Sequence, residues 1–511
     1  MIFDTYKESL PLRLKADLCV VGSGPGGAMV AREASRAGLK VIVLEAGAFW
    51  TPADMTQREE EMFPKLFWEA GGRTSTDRAV KIHQGKGVGG SSLHNLNLCK
   101  RIPETILSAW TQQRKLSSLE LEDWDALYRE VEELLEVSSV PPSQWNRHNQ
   151  VLEQGCAKLG WQGAGLQHNR TGCLGSGFCE IGCAYDAKNN ALKMVLPEAI
   201  KNSCDVLTHC QATRLDLQDK RVRGVFALAL KPHSQEPLGE VYIEAKTVAL
   251  CASATGTPAI MQRSELLDPS NETGQSLRIH PAVIAAGEFE KPIYAWQGIP
   301  QSYECTEFLH FTENHAADSH RLWIVPAFAH PVGTATMLPG IGNLHGDSMK
   351  RYAHFAVLTA MLHDETKGKV QPRGDLGVKI DYWPTQTDRR ELAFGLWACT
   401  KLLFAAGAQR VIIPNDPLIT INKGMDFSRL KDLEIKRGAM DITAVHPMSS
   451  VPMGDDPQQA AVSSKGKHHH SDGVWVADAS LFPTSIGVPP QLSTYAIGLH
   501  VGRAIVEALT R

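Results

Sequence analysis

The sequence predicts an α/β fold that opens on a parallel βαβ unit and continues into further domains. Two observations predict it. The first is the stretch Ala16–Gly47. An apolar run, Leu18–Val21, is followed by Gly22, Gly24 and Gly27 in the spacing G-x-G-x-x-G. A helix-compatible run, Ala28–Ala37, ends at Gly38. A second apolar run, Lys40–Leu44, closes on Glu45. The second observation is length: 511 residues exceed what a single core serves, so two or three domains are expected.

Within the βαβ unit each glycine has its own task. The first permits a tight turn, the second lets backbone approach a pyrophosphate, and the third lets the helix pack on the strand. The helix N-terminus offers N–H groups and the positive end of its dipole to phosphates. Glu45 accepts from a ribose and disfavours a 2′-phosphate. The unit therefore reads as a dinucleotide site.

Composition narrows the partners. Hydrophobic residues make up 43% and charged residues 21%, and the net charge is −4, which gives no reason to expect nucleic acid. No apolar run reaches the length of a membrane span. The first residues lack a secretory pattern, and 11 cysteines without one suggest reduced thiols and a cytoplasmic protein. The run His468-His469-His470, beside Lys465 and Lys467, reads as a solvated turn.

Further along, Phe49–Val80 reads as a loop-rich excursion. Then comes Gly85-Lys86-Gly87-Val88-Gly89-Gly90-Ser91-Ser92-Leu93-His94-Asn95. Two glycine clusters and two serines imply backbone packed close to a ligand, with N–H and hydroxyl donors aimed at it. Leu116–Val137 reads as an amphipathic helix with Trp124, Leu127, Val131 and Leu134 on its core face. Cys173, Cys179 and Cys183 lie on a Gly-rich loop that continues as Ala184–Leu192. Three thiols there are either buried core groups or ligands of an iron–sulfur cluster. Short β-rich runs follow at Val206–Arg214, Arg221–Leu230 and Glu240–Leu250.

The βαβ unit together with the second glycine segment resembles the glucose–methanol–choline family of FAD-dependent oxidoreductases. The segment around the cysteines resembles that family's bacterial cholesterol oxidase-like and long-chain alcohol oxidase-like branch. The resemblance implies a Rossmann-type FAD-binding domain, discontinuous in sequence, plus an α+β substrate domain with an antiparallel sheet. The implied division is 1–280, 281–438 and 439–511, the last part returning to the FAD domain. Gly22, Gly24, Gly27 and Glu45 would hold the ADP half of FAD. Gly89, Gly90, Ser91 and Asn95 would line the pyrophosphate and isoalloxazine. His94 falls where some members attach the flavin covalently, and both a covalent link and a packed ring fit the sequence. Val248–Pro258 resembles a signature in which a buried strand meets a Gly/Pro turn, and His280 reads as a hinge at the exit from the FAD domain.

The aromatic residues of 281–438, among them Trp323, Phe328 and Tyr352, read as core and pocket lining. His310, His315, His320, His330 and His354 are scattered without metal-ligand spacing. Ala444–Gly454 matches the segment that carries the family's catalytic histidine. His446 is then the base that takes the alcohol proton, with Ser449 or Ser450 where the family usually has glycine. Asp478, Pro490 and Gln491 match the last FAD contacts. Pro489 stands where relatives carry asparagine or a second histidine, so the usual pair on the substrate oxygen lacks a member. The implied activity is oxidation of a CH–OH group of a small alcohol, the electrons passing to oxygen, a quinone or a partner protein. Two other readings follow from the departures: a flavin subunit of an electron-transfer complex with a cluster on the three cysteines, or a repurposed flavoprotein.

Overall fold

A computed structural model describes residues 1–232, 234–311 and 319–510; His315 lies outside them. Six parallel strands form the first sheet. In spatial order they are Ile2–Asp4, Asp205–Thr208, Val41–Leu44, Leu18–Val21, Val248–Leu250 and Val474–Val476. The four interior strands and the last are apolar on both faces, as a covered parallel sheet requires. The helix Pro25–Arg36 packs on this sheet and against the C-terminal helix Gln491–Thr510. The beginning, middle and end of the chain thus share one sheet and one core.

The run expected as Val206–Arg214 is two strands. His209 sits at φ +50°, and there the chain leaves the parallel sheet. It enters a second sheet built from Cys210–Gln218, Arg221–Leu230, Pro237–Glu244 and Leu12–Lys15. The predicted amphipathic helix is present as Leu121–Leu134, with Trp124, Leu127 and Val131 buried. Phe49–Val80 is more ordered than its composition suggests, since Glu59–Leu66 is a helix with Pro64 inside it. Gly256 and Pro258 also lie within a helix, Ser253–Arg263, where a turn was expected.

The third sheet has nine strands, mostly antiparallel. Its centre pairs Ala282–Glu288 with Phe355–Leu362, and Leu322–Pro326 lies beyond. Val80–Ile82, Gly163–Gly165 and Ile442–Ala444, from outside 281–438, also join it. Alternation along these strands decides their roles. Val283, Ala285, Ala356, Leu358 and Ala360 share a second core with the long helix Gln386–Ala406, which packs on both central strands. Ala282, Ile284, Ala286, Phe355, Val357, Thr359 and Met361 point the other way, into a cavity.

Candidate active site

One cavity of about 880 Å³ lies between the parallel sheet and the nine-stranded sheet. At the parallel-sheet end its wall is backbone. A Cβ on Gly27 would stand 2.0 Å from the Gly22 carbonyl oxygen, so the first helix can pack this closely only on glycine. Gly24 behaves differently. Its nearest neighbour in the place of a Cβ is the Gly90 Cα at 3.8 Å, so it presents an open backbone face to the cavity. Gly90, at φ +57°, faces it from the second glycine segment, where a Cβ would come within 2.8 Å of the Gly24 Cα. No side chain caps the helix that follows Gly24. A cradle of bare backbone at an uncapped helix N-terminus suits a diphosphate.

Glu45 is buried at this end. Its carboxylate accepts from the Ser23 hydroxyl (2.6 Å), the Gly47 amide (2.8 Å), and the Ser23 and Gly87 amides (3.2 Å each). These bonds tie the two glycine segments together. Ser91 accepts from the Gly85 amide, and Asn95 donates to Gln491 at 2.6 Å. Gln491 in turn donates to the Leu98 carbonyl and to Asn169, so the last helix is locked to the glycine segment. Asp478 is buried, accepts from Thr257 and from the Ser480 amide, and is pushed up by its burial. Pro489 and Pro490 line the cavity beside it.

His94 is 8% exposed, and its Nε2 has no hydrogen-bond partner. The ring lies against Phe67, centroids 4.1 Å apart. Burial first, then the charge of Lys188, holds its pKa well below the usual histidine value. His94 is therefore a neutral imidazole with a free nitrogen. Lys188 is itself buried, and its ammonium donates to the carbonyls of Leu93 (3.0 Å), Asn95 (2.5 Å) and Cys179 (2.8 Å). It fastens the His94 segment to the cysteine loop, a connection that spacing alone did not suggest.

His446 lies two residues past the strand Ile442–Ala444, whose pairing within the third sheet places it at the cavity wall. Apolar surroundings lower its pKa to about 3. Its Nδ1 lies 3.1 Å from Nδ1 of His280. Sequence reasoning made His280 a hinge and missed this contact. The sequence carries no signal for it, because the contact is set by register: Arg278 and Met448 bond each other reciprocally across antiparallel segments. Two residues inward, His280 and His446 stand opposite one another. Of the two serines expected where the family usually has glycine, Ser449 has a positive φ of +66°, in the region that favours glycine.

Among the described residues no group of three or more His, Cys, Asp or Glu side chains is placed to hold a metal ion, and nothing favours the cluster alternative for Cys173, Cys179 and Cys183 over free thiols. Cys173 and Cys183 accept from the amides of Gly175 and Ala187. The run 468–470 is not a solvated turn. His468 is buried, while His469 and His470 bond to the carbonyls of Gly454 and Pro457.

The sequence matches the GMC oxidoreductase family over residues 63–282 and 365–498. It is 33% identical over 504 residues to an uncharacterized GMC-type oxidoreductase of Mycobacterium tuberculosis, across 96% of this chain and 76% of that one. The chain belongs to the GMC oxidoreductase family. A long-chain-alcohol oxidase of Arabidopsis thaliana is 26% identical over 535 residues, covering 100% of this chain and 70% of that one. Among solved structures, pyridoxine 4-oxidase from Mesorbium loti superposes with a TM-score of 0.69 at 19% identity, over 96% of this chain and 98% of that one. Formate oxidase of Aspergillus oryzae gives 0.68 at 14% identity, over 97% and 98%. These two establish the GMC fold: an FAD-binding Rossmann-type domain with a substrate domain. Members of the family are FAD-binding oxidoreductases. No helix among the described residues is long and apolar enough to cross a membrane.

Proposed function

We propose that this GMC oxidoreductase binds FAD and oxidises the CH–OH group of an alcohol with an apolar body. The observation that carries this reading is the continuity of the cavity. A single space reaches from the bare-backbone cradle at Gly24 and Gly90 to His446 and the apolar face of the nine-stranded sheet. The donor set fits the cofactor: open backbone for a diphosphate, an acid at the ribose position, and polar side chains at Asn95, Asp478 and Gln491 along the remainder. FAD bound there supplies the hydride acceptor.

The chain's own residues do the rest. Gly22, Gly24, Gly27 and Glu45 hold the ADP half, and Gly89, Gly90, Ser91 and Asn95 support the pyrophosphate and ring. Asp478, Pro490 and Gln491 close the site from the C-terminal segment. His94, neutral and with Nε2 unpaired, suits covalent attachment of the flavin. Ile284, Val357 and Met361 exclude water and hold an apolar chain. His446 receives the hydroxyl proton. A low proton affinity keeps it neutral through the ordinary working range of pH, and a base must be neutral before it can accept.

The test is flavin reduction by alcohol without oxygen. His446→Ala should retain FAD and lose rapid reduction. Equal reduction in wild type and variant would remove His446 from the chemistry.

A further inference from the structure

His280 is 1% exposed and lies between two groups that fix its protonation. On one side the Gly487 amide donates to its Nε2 at 2.9 Å. On the other, its Nδ1 faces Nδ1 of His446 at 3.1 Å. An amide N–H can only donate, so Nε2 of His280 carries a lone pair. A neutral imidazole has one N–H, which must then sit on Nδ1. That N–H points at Nδ1 of His446, which must accept it. The single proton of a neutral His446 is left on Nε2. Both rings are neutral. Burial, with His446 and His363 nearby, holds His280 well below its usual pKa, and burial alone lowers His446.

We infer that His280 is a positioning residue through which the Gly487 amide fixes the proton of His446 on Nε2, so that the resting pair meets a substrate oxygen as a hydrogen-bond donor. This rests on the role proposed for His446 and deepens it. Among the described residues no hydrogen bond engages Nε2 of His446, so this N–H is left for a ligand in the cavity. Taking up a hydroxyl proton there requires the other tautomer of His446, with its N–H on Nδ1, reached when water in the cavity accepts the Nε2 proton and returns one to Nδ1. The His280 N–H must first turn away, which opens the bond from Gly487. The pair therefore holds the alcohol oxygen first and becomes a base only when that bond opens. Pro489 has no side-chain hydrogen-bonding group, yet its loop still acts on the site through the backbone two residues earlier.

The direct test is neutron diffraction from deuterium-exchanged crystals of the FAD-loaded enzyme near neutral pH. Deuterium on Nε2 of His446 and Nδ1 of His280, with none on Nε2 of His280, is the expected result. Deuterium on Nδ1 of His446 overturns the inference. A solution measurement uses nitrogen-15-labelled histidine, with the His446 signals assigned by their loss in His446→Ala. His280→Phe should give His446 a mixture of the two N–H forms. His280→Gln, whose amide both accepts and donates, should keep the wild-type pattern. An unchanged His446 spectrum in a folded, FAD-loaded His280→Phe would contradict the positioning role. These readouts locate protons and do not depend on turnover. Loss or survival of flavin reduction in His446→Ala judges the functional reading separately.

Discussion

The two ends of the cavity are built by opposite means. At the parallel-sheet end the wall is backbone, and selectivity comes from side chains that are absent, as at Gly24 and Gly90. At the nine-stranded end the wall is side chain, with alternate residues of two antiparallel strands facing the cavity and a histidine pair at its edge. The first end suits a ligand shared by a whole family. The second can change residue by residue without disturbing the core behind it, because only alternate positions face inward.

That contrast can be broken at either end. The largest effect is expected at the cradle. Gly90→Val would drive a branched side chain against Gly24 at a positive φ, and the purified variant should lack flavin absorbance while the wild type shows it. Next comes His446→Ala, which should keep FAD and slow alcohol-driven reduction by about 10²- to 10⁴-fold, the usual worth of a positioned base. Since His446 stays neutral down to about pH 3, kcat/KM should show no acid limb from this group between roughly pH 5 and 8. An acid limb in that range that vanishes in His446→Ala would contradict its environment as described.

His94 sharpens the comparison from the cofactor side. Flavin should stay with acid-precipitated wild-type protein and leave His94→Gln with the supernatant. Release from the wild type would reduce His94 to a packing residue. At the other end, Ile284→Trp should leave FAD content unchanged and lower kcat/KM for long alcohols about tenfold or more, with short alcohols spared. Loss of flavin from this variant would mean the two ends are not separable. The smallest effect is expected at Ser449. Glycine there relieves a left-handed serine and should stabilise the protein against urea by about 1 kcal/mol or less, the unfolded chain's extra freedom offsetting part of the gain.

The same contrast governs what could be read from sequence. The cradle was legible because its parts are local: Gly22–Glu45 and Gly85–Asn95 each carry their spacing within a single segment. That His446 would line the cavity could be expected only through resemblance. His280 was visible as a residue but its contact with His446 was not, since the partner lies 166 positions away and only strand register joins them. Lys188 was passed over for a related reason, since the carbonyls it binds belong to loops that meet only after folding. The histidines at 468–470 looked solvated because their neighbours are charged, yet backbone carbonyls from 454 and 457 take them up. The helix Ser253–Arg263 overrode the turn signal of Gly256 and Pro258 because tertiary packing outweighs local propensity.

The measurement that bears most directly on the central claim is an anaerobic titration of the purified protein with a long-chain primary alcohol, followed in the visible spectrum. The account predicts flavin bands in the protein as isolated or after reconstitution with FAD, and their bleaching as alcohol is added. A protein that takes up no flavin, or whose flavin bands no alcohol bleaches, would contradict it.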